Sequence, residues 1–133
     1  MKISSRGRYA LRMMIDIAEN SEGQPVTIKD ISERQAISTK YLEQIVTGLT
    51  RARLLRSERG PQGGYMLTKA PREYTAGQII RAIEGDLAPV ACLADEPNQC
   101  ARRTICQTLD FWTGLYKTIE EYVDSVTLQD LLR

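Results

Sequence analysis

The chain has 133 residues, 42% of them hydrophobic and 26% charged, with three cysteines and no histidine. Such a chain buries one modest core, offers no apolar run near the roughly 18–20 residues of a membrane span, and lacks a signal-peptide core, so a cytoplasmic protein with no membrane association is expected. Its charge is uneven: residues 1–88 carry 14 Lys/Arg against 10 Asp/Glu and residues 89–133 carry 4 against 7, the balance of a nucleic-acid-binding module with a separate regulatory end.

Helical periodicity starts near Ser4, with Leu11, Met14, Ile15 and Ala18 forming one apolar stripe, and stops before the turn formers Asn20-Ser21-Glu22-Gly23-Gln24-Pro25. Thr27-x-x-Asp30 reads as a capping box opening a short second helix that carries Ile28 and Ile31. Ser38 is an N-cap for a third helix that places Leu42, Ile45, Val46 and Leu49 on one face. Two short helices joined by a tight turn make a helix-turn-helix. Residues 54–58 and 65–68 are strand-like, and Arg59-Gly60-Pro61-Gln62-Gly63-Gly64 between them is a hairpin tip. A second capping box, Thr75-x-x-Gln78, starts a helix through Ile79, Ile80 and Ile83 that stops at Gly85. The stretch from Asp86 to about Thr104, with Pro89 and Pro97, is irregular. A long helix is expected from Cys106, on which Leu109/Trp112, Tyr116/Ile119 and Val123/Val126 recur every seven residues. That spacing suits a homodimer seam.

The expected fold is therefore mainly α with a small β-hairpin wing: a winged helix-turn-helix over residues 1–85, a cysteine-bearing loop over 86–105 and a dimerisation helix with tail over 106–133. On the third helix, Lys40, Glu43, Gln44, Thr47 and Arg51 lie opposite the apolar stripe. In a winged helix this is the face that meets base edges of double-stranded DNA, with Gln44 suited to adenine, Glu43 to the cytosine amino group and Lys40 to guanine or phosphate. Arg51, Arg53 and Arg56 suit phosphates, Arg59 suits a minor groove, and Gly60, Gly63 and Gly64 let backbone approach the duplex.

Cys92, Cys100 and Cys106 are spaced C-x7-C-x5-C. In a cytosolic protein, three thiols within fifteen residues point to metal, cluster or redox chemistry rather than to a structural disulfide. Structural zinc fits poorly, because its sites use four Cys/His ligands. With no histidine, no nucleotide-binding loop and no nucleophile–base pair, the chain offers no catalytic machinery, and no enzyme is expected.

Several segments carry a family resemblance. Ser5-Arg6-Gly7-Arg8-Tyr9-Ala10-Leu11, Asp30-Ile31-Ser32-Glu33-Arg34-Gln35-x-Ile37-Ser38, Tyr41-Leu42-Glu43-Gln44, Arg59-Gly60-Pro61-x-Gly63-Gly64-Tyr65 and Val126-Thr127-Leu128-x-Asp130-Leu131 resemble the Rrf2 family of bacterial winged-helix transcription regulators. The resemblance implies a homodimer whose long C-terminal helices cross at the interface. It also implies that Glu43 reads a base, that Arg59 enters the minor groove, and that Cys92, Cys100 and Cys106 ligate an iron–sulfur cluster, either 2Fe–2S or 4Fe–4S. The chain departs from the family where cluster-binding members place a histidine, here Leu109, or an N-terminal aspartate, here Arg8. That leaves Asp95, Glu96, Asn98, Gln107, Asp110, a water or a small thiol for the fourth position. Members without the cysteine triad answer to a regulatory protein partner instead, and a cluster-free thiol/disulfide switch is the other reading of the same residues.

Overall fold

Polar side chains open the first four helices of the computed structural model, which describes residues 2–133. Ser4 caps α1 (Ser5–Asn20), Thr27 caps α2 (Ile28–Gln35) and Ser38 caps α3 (Thr39–Arg51), each hydroxyl accepting an N–H from the first turn. Thr75 caps α4 (Ala76–Glu84) in a reciprocal box, with the Thr75 N–H returned to Gln78 Oε1 at 3.0 Å. At Thr27 only the forward bond forms, from Asp30 N–H to Thr27 Oγ1 at 3.1 Å. Strands β1 (Leu55–Glu58) and β2 (Gly64–Leu67) pair antiparallel, Leu55 opposite Leu67 and Glu58 opposite Gly64. Val26 adds a further backbone bridge to Tyr65, with N–H···O distances of 3.0 and 2.8 Å, so the hairpin is tied to the loop before α2.

The core forms around α1, against which α2, α3, α4, β2 and the C-terminal helix α6 (Leu128–Leu131) all pack. Of the expected stripe only Met14 is fully buried; Leu11, Ile15 and Ala18 are half-buried, and the deepest face carries Ala10, Met13, Met14 and Ile17. A helix enclosed on several sides has no single buried stripe. Ile31, Leu42, Ile45, Leu49, Leu55, Ile79 and Leu128 complete this core, each such side chain worth about 1.5–3 kcal/mol on burial.

Two polar groups inside the core fix its elements. Asp16 is 1% exposed and receives a fork from Arg34, at 2.8 and 3.0 Å, plus Gln35 Nε2 at 3.0 Å. Arg12 donates to the Gln35 side chain and carbonyl, so α1 grips the end of α2. The hydrogen bonds that Arg34 donates to the Asp16 carboxylate hold its guanidinium above its ordinary pKa. Tyr74 is fully buried; its hydroxyl donates to the Leu54 carbonyl at 2.8 Å and accepts from Thr68 N–H at 2.8 Å and Lys69 N–H at 3.2 Å, closing the root of the hairpin.

The long helix α5 spans Leu109–Ser125 and begins three residues later than expected. Leu109 N–H bonds back to the Cys106 carbonyl in a turn, and the first bond of helical span runs from Trp112 N–H to Thr108. The helix rests on α4 at Gly77, where a Cβ would overlap Asp124. There Arg81 forks onto Asp124 at 2.8 and 3.0 Å and reaches Glu120 at 3.7 Å. Ile119 and Val123, two of the residues expected in a dimer seam, line a small cavity with Ile80 and Leu87 of the same chain. The face left open carries Phe111, Leu115 and Tyr122, which are 65%, 36% and 69% exposed. Beyond α5, Leu128 N–H bonds the Tyr74 carbonyl and Ala76 N–H the Val126 carbonyl, so the tail returns into the core.

Candidate nucleic-acid interface and cysteine loop

Ala36, left-handed at φ 55°, ends α2, and Ser38 starts α3 two residues later. The four residues buried on α3 are Leu42, Ile45, Val46 and Leu49, so Lys40, Glu43, Gln44, Thr47 and Arg51 all face solvent. Thr47 donates its hydroxyl proton to the Glu43 carbonyl at 2.9 Å within the helix. This leaves Lys40, Glu43 and Gln44 as the outward polar ends in the first half of α3. Tyr41 packs edge-on against Tyr9 of α1, ring centroids 5.6 Å apart, with Arg12 at 5.1 Å and Arg8 at 5.8 Å from the Tyr9 ring. That aromatic brace sets the start of α3 on α1. Spacing did not reveal it, because Tyr9 and Tyr41 lie on different helices.

Arg51, Arg53, Arg56 and Arg59 are exposed in a run from the end of α3 through β1 to the hairpin tip. Arg56 pairs with Glu58 at 3.5 Å on the exposed hairpin face. The three glycines of the tip have different causes. Gly60, at φ 107°, has open space around it. A Cβ on Gly63 would overlap the Glu58 carbonyl, and one on Gly64 the Val26 carbonyl, so hairpin packing already requires both. A convex face with a polar helix, a basic edge and a protruding hairpin suits duplex DNA.

Cys92 sits in a 3₁₀ turn (Ala91–Leu93), and Cys100 and Cys106 flank the turns at 101–105 ahead of α5; all three are free and half-buried. Asn98 Oδ1 accepts the Cys100 N–H at 2.8 Å and so braces the loop. Cys106 Sγ lies 3.4 Å from Thr108 Oγ1. Bonds from the Thr108 hydroxyl and from the Thr108 and Leu109 backbone hold this thiol below its ordinary pKa. As donors, three unpaired thiols on one short loop fit iron–sulfur chemistry. The fold does not gather them: among the described residues no three His, Cys, Asp or Glu stand close enough to hold a metal ion. Of the expected fourth-position residues, Asp95, Glu96 and Asn98 line a cavity of about 300 Å³ against Tyr116 and Glu120 of α5. Gln107 and Asp110 do not line it.

The Rrf2 family, described as an iron-dependent transcriptional regulator, matches residues 3–133. The chain belongs to the Rrf2 family. Protein rrf2 of Nitratidesulfovibrio vulgaris is 40% identical over 100% of this chain and 88% of its own length. The regulator CymR of Bacillus subtilis is 41% identical over 98% of this chain and 89% of its own. The solved structure of CymR, the global cysteine regulator of B. subtilis, is 37% identical and superposes with a TM-score of 0.80 over 98% of this chain and 95% of that one. The IscR structure from T. potens gives 0.78 at 38% identity, over 98% of this chain and 85% of that one. The protein is thus a DNA-binding transcriptional regulator with the winged-helix fold of its Rrf2 relatives, mainly α with a two-stranded hairpin, and its relatives are named regulators rather than enzymes. No described helix is long and apolar enough to cross a membrane.

Proposed function

We propose that this Rrf2 regulator works in the cytoplasm as a homodimeric repressor that sets α3 into the major groove of a double-stranded operator and Arg59 into the flanking minor groove. An iron–sulfur cluster held by Cys92, Cys100 and Cys106 controls its operator affinity. The observation that carries the sensing part is three free, half-exposed thiols on one short loop directly ahead of α5. When bound, the cluster supplies redox and ligand-exchange chemistry to that loop. The chain's own residues supply the rest: Asn98 braces Cys100, Thr108 favours the Cys106 thiolate, and Arg81 with Asp124 ties α5 to the DNA-binding half.

Protein purified anaerobically tests this. Broad visible charge-transfer absorption with matching iron and sulfide is expected, lost in Cys100→Ala. A second reading, a cluster-free thiol switch, rests on Cys106, a free thiol that Thr108 holds below its ordinary pKa. A colourless, iron-free protein that resists reconstitution would refute the cluster and leave that switch.

A further inference from the structure

A cavity of about 540 Å³ opens at the root of the hairpin, between the end of α3, the residues after β2 and one face of α4. Arg53, Lys69 and Arg81 line it with Thr68 and Gln78, and among the described residues no carboxylate does. Two of these cations, Arg53 and Lys69, have no acid paired with them among the described residues and bring a positive field into the concavity. The groups are also held in place. Arg53 has a left-handed backbone at φ 62°, with its carbonyl bonded by the Thr68 hydroxyl at 2.9 Å. Lys69 Nζ sits 4.9 Å from the centre of the Tyr74 ring. Arg81 is shared with Asp124 and Glu120, which do not line the cavity, whereas Arg53 and Lys69 make no ion pair among the described residues.

We propose that this cavity is an effector site for a small, multiply charged anion, a phosphate ester or a polycarboxylate, held by Arg53, Lys69 and Arg81. Its volume lies in the range of small-molecule pockets, about 300–1,000 Å³. Three residues of the lining, Leu54, Thr68 and Lys69, are joined through their backbones by the buried Tyr74 hydroxyl. An anion that draws Arg53 toward Lys69 therefore tightens the root of the wing. The same anion competes with Asp124 and Glu120 for Arg81 and loosens the seat of α5. Binding at this site does not depend on the operator reading, but it gives that reading a second input.

The test is calorimetric titration of the intact protein, without DNA and at fixed ionic strength, with pyrophosphate and separately with citrate. Saturable binding of one anion per chain is expected for at least one of the two, and which one binds separates the two ligand classes. Affinity should fall at least tenfold in Arg53→Asn, which tolerates the left-handed backbone, and in Lys69→Gln. Circular dichroism confirms the fold of each variant; should Lys69→Gln fail to fold, Arg53→Asn carries the test alone. Heat that does not saturate with either anion, or unchanged affinity in the folded variants, would overturn the proposal. Loss of DNA affinity in the variants without any anion binding would overturn it too, and would assign both cations to the DNA backbone.

Discussion

Asp16 keeps 1% of its surface exposed, while Arg34, its partner, keeps 38% of its side chain in solvent. The two ends of this pair are therefore unequal. Arg34→Ala strands a buried carboxylate with Gln35 alone and should cost about 3–5 kcal/mol, read as a lower urea midpoint. Asp16→Asn should cost less, because the freed guanidinium returns to water. Nothing local marked Asp16 as buried: its partner lies eighteen residues away, on another helix. The outward face of α3 was legible, because the same spacing that buries Leu42 and Ile45 turns Glu43 and Gln44 to solvent. Glu43→Ala should relax base preference more than it weakens binding, whereas Arg51→Ala should weaken binding to all sequences alike and lower the salt slope by about 0.9. Fluorescence anisotropy on operator and scrambled duplexes distinguishes them. Equal losses on both duplexes for Glu43→Ala would remove it from base reading.

Caps at Thr27, Ser38 and Thr75 were readable because each closes within three residues. The seat of α5 was not, because heptad spacing suits any apolar partner and the chain itself supplies α4. Gly77 is the contact that decides it. Gly77→Ala should lift α5 from α4 and change the fluorescence of Trp112, the single tryptophan, at neutral pH. Asp124 titrates in the same seat. The hydrogen-bonded Arg81 guanidinium holds its carboxyl below the ordinary carboxylate value, about 3.9. With the folded pKa depressed, the contribution of Asp124 is complete above that ordinary value and is lost as pH falls through the lower, folded one. A Trp112 fluorescence change is therefore expected on acidification below about pH 4 and absent in Asp124→Asn. An identical acid transition in both proteins would place the titrating group elsewhere.

At the scale of the whole molecule, α5 presents 17 residues of which none is fully buried. Phe111, Leu115 and Tyr122 on its open side are the surface that a second copy would cover. Tyr122→Glu should then shift sedimentation toward the monomer without loss of helix content, and an unchanged sedimentation coefficient would move the dimer seam off this face. The open side could be found only once α4 had claimed the other, because the spacing of Leu109/Trp112, Tyr116/Ile119 and Val123/Val126 does not name the partner of that stripe. The way α5 is held has a mechanical meaning. Its anchor, Asp124 on Arg81, lies near its C-terminal end, and the cysteine loop joins the opposite end. Between Asp124 and Leu109 the helix measures about 22 Å. It is a lever pivoted at one end, with the cysteines on the long arm: a tilt of about 10° at the pivot carries the far end through about 4 Å. Read in reverse, a displacement of a few ångströms at the loop reaches the pivot as a small rotation applied directly to Arg81, the side chain that also lines the root of the wing.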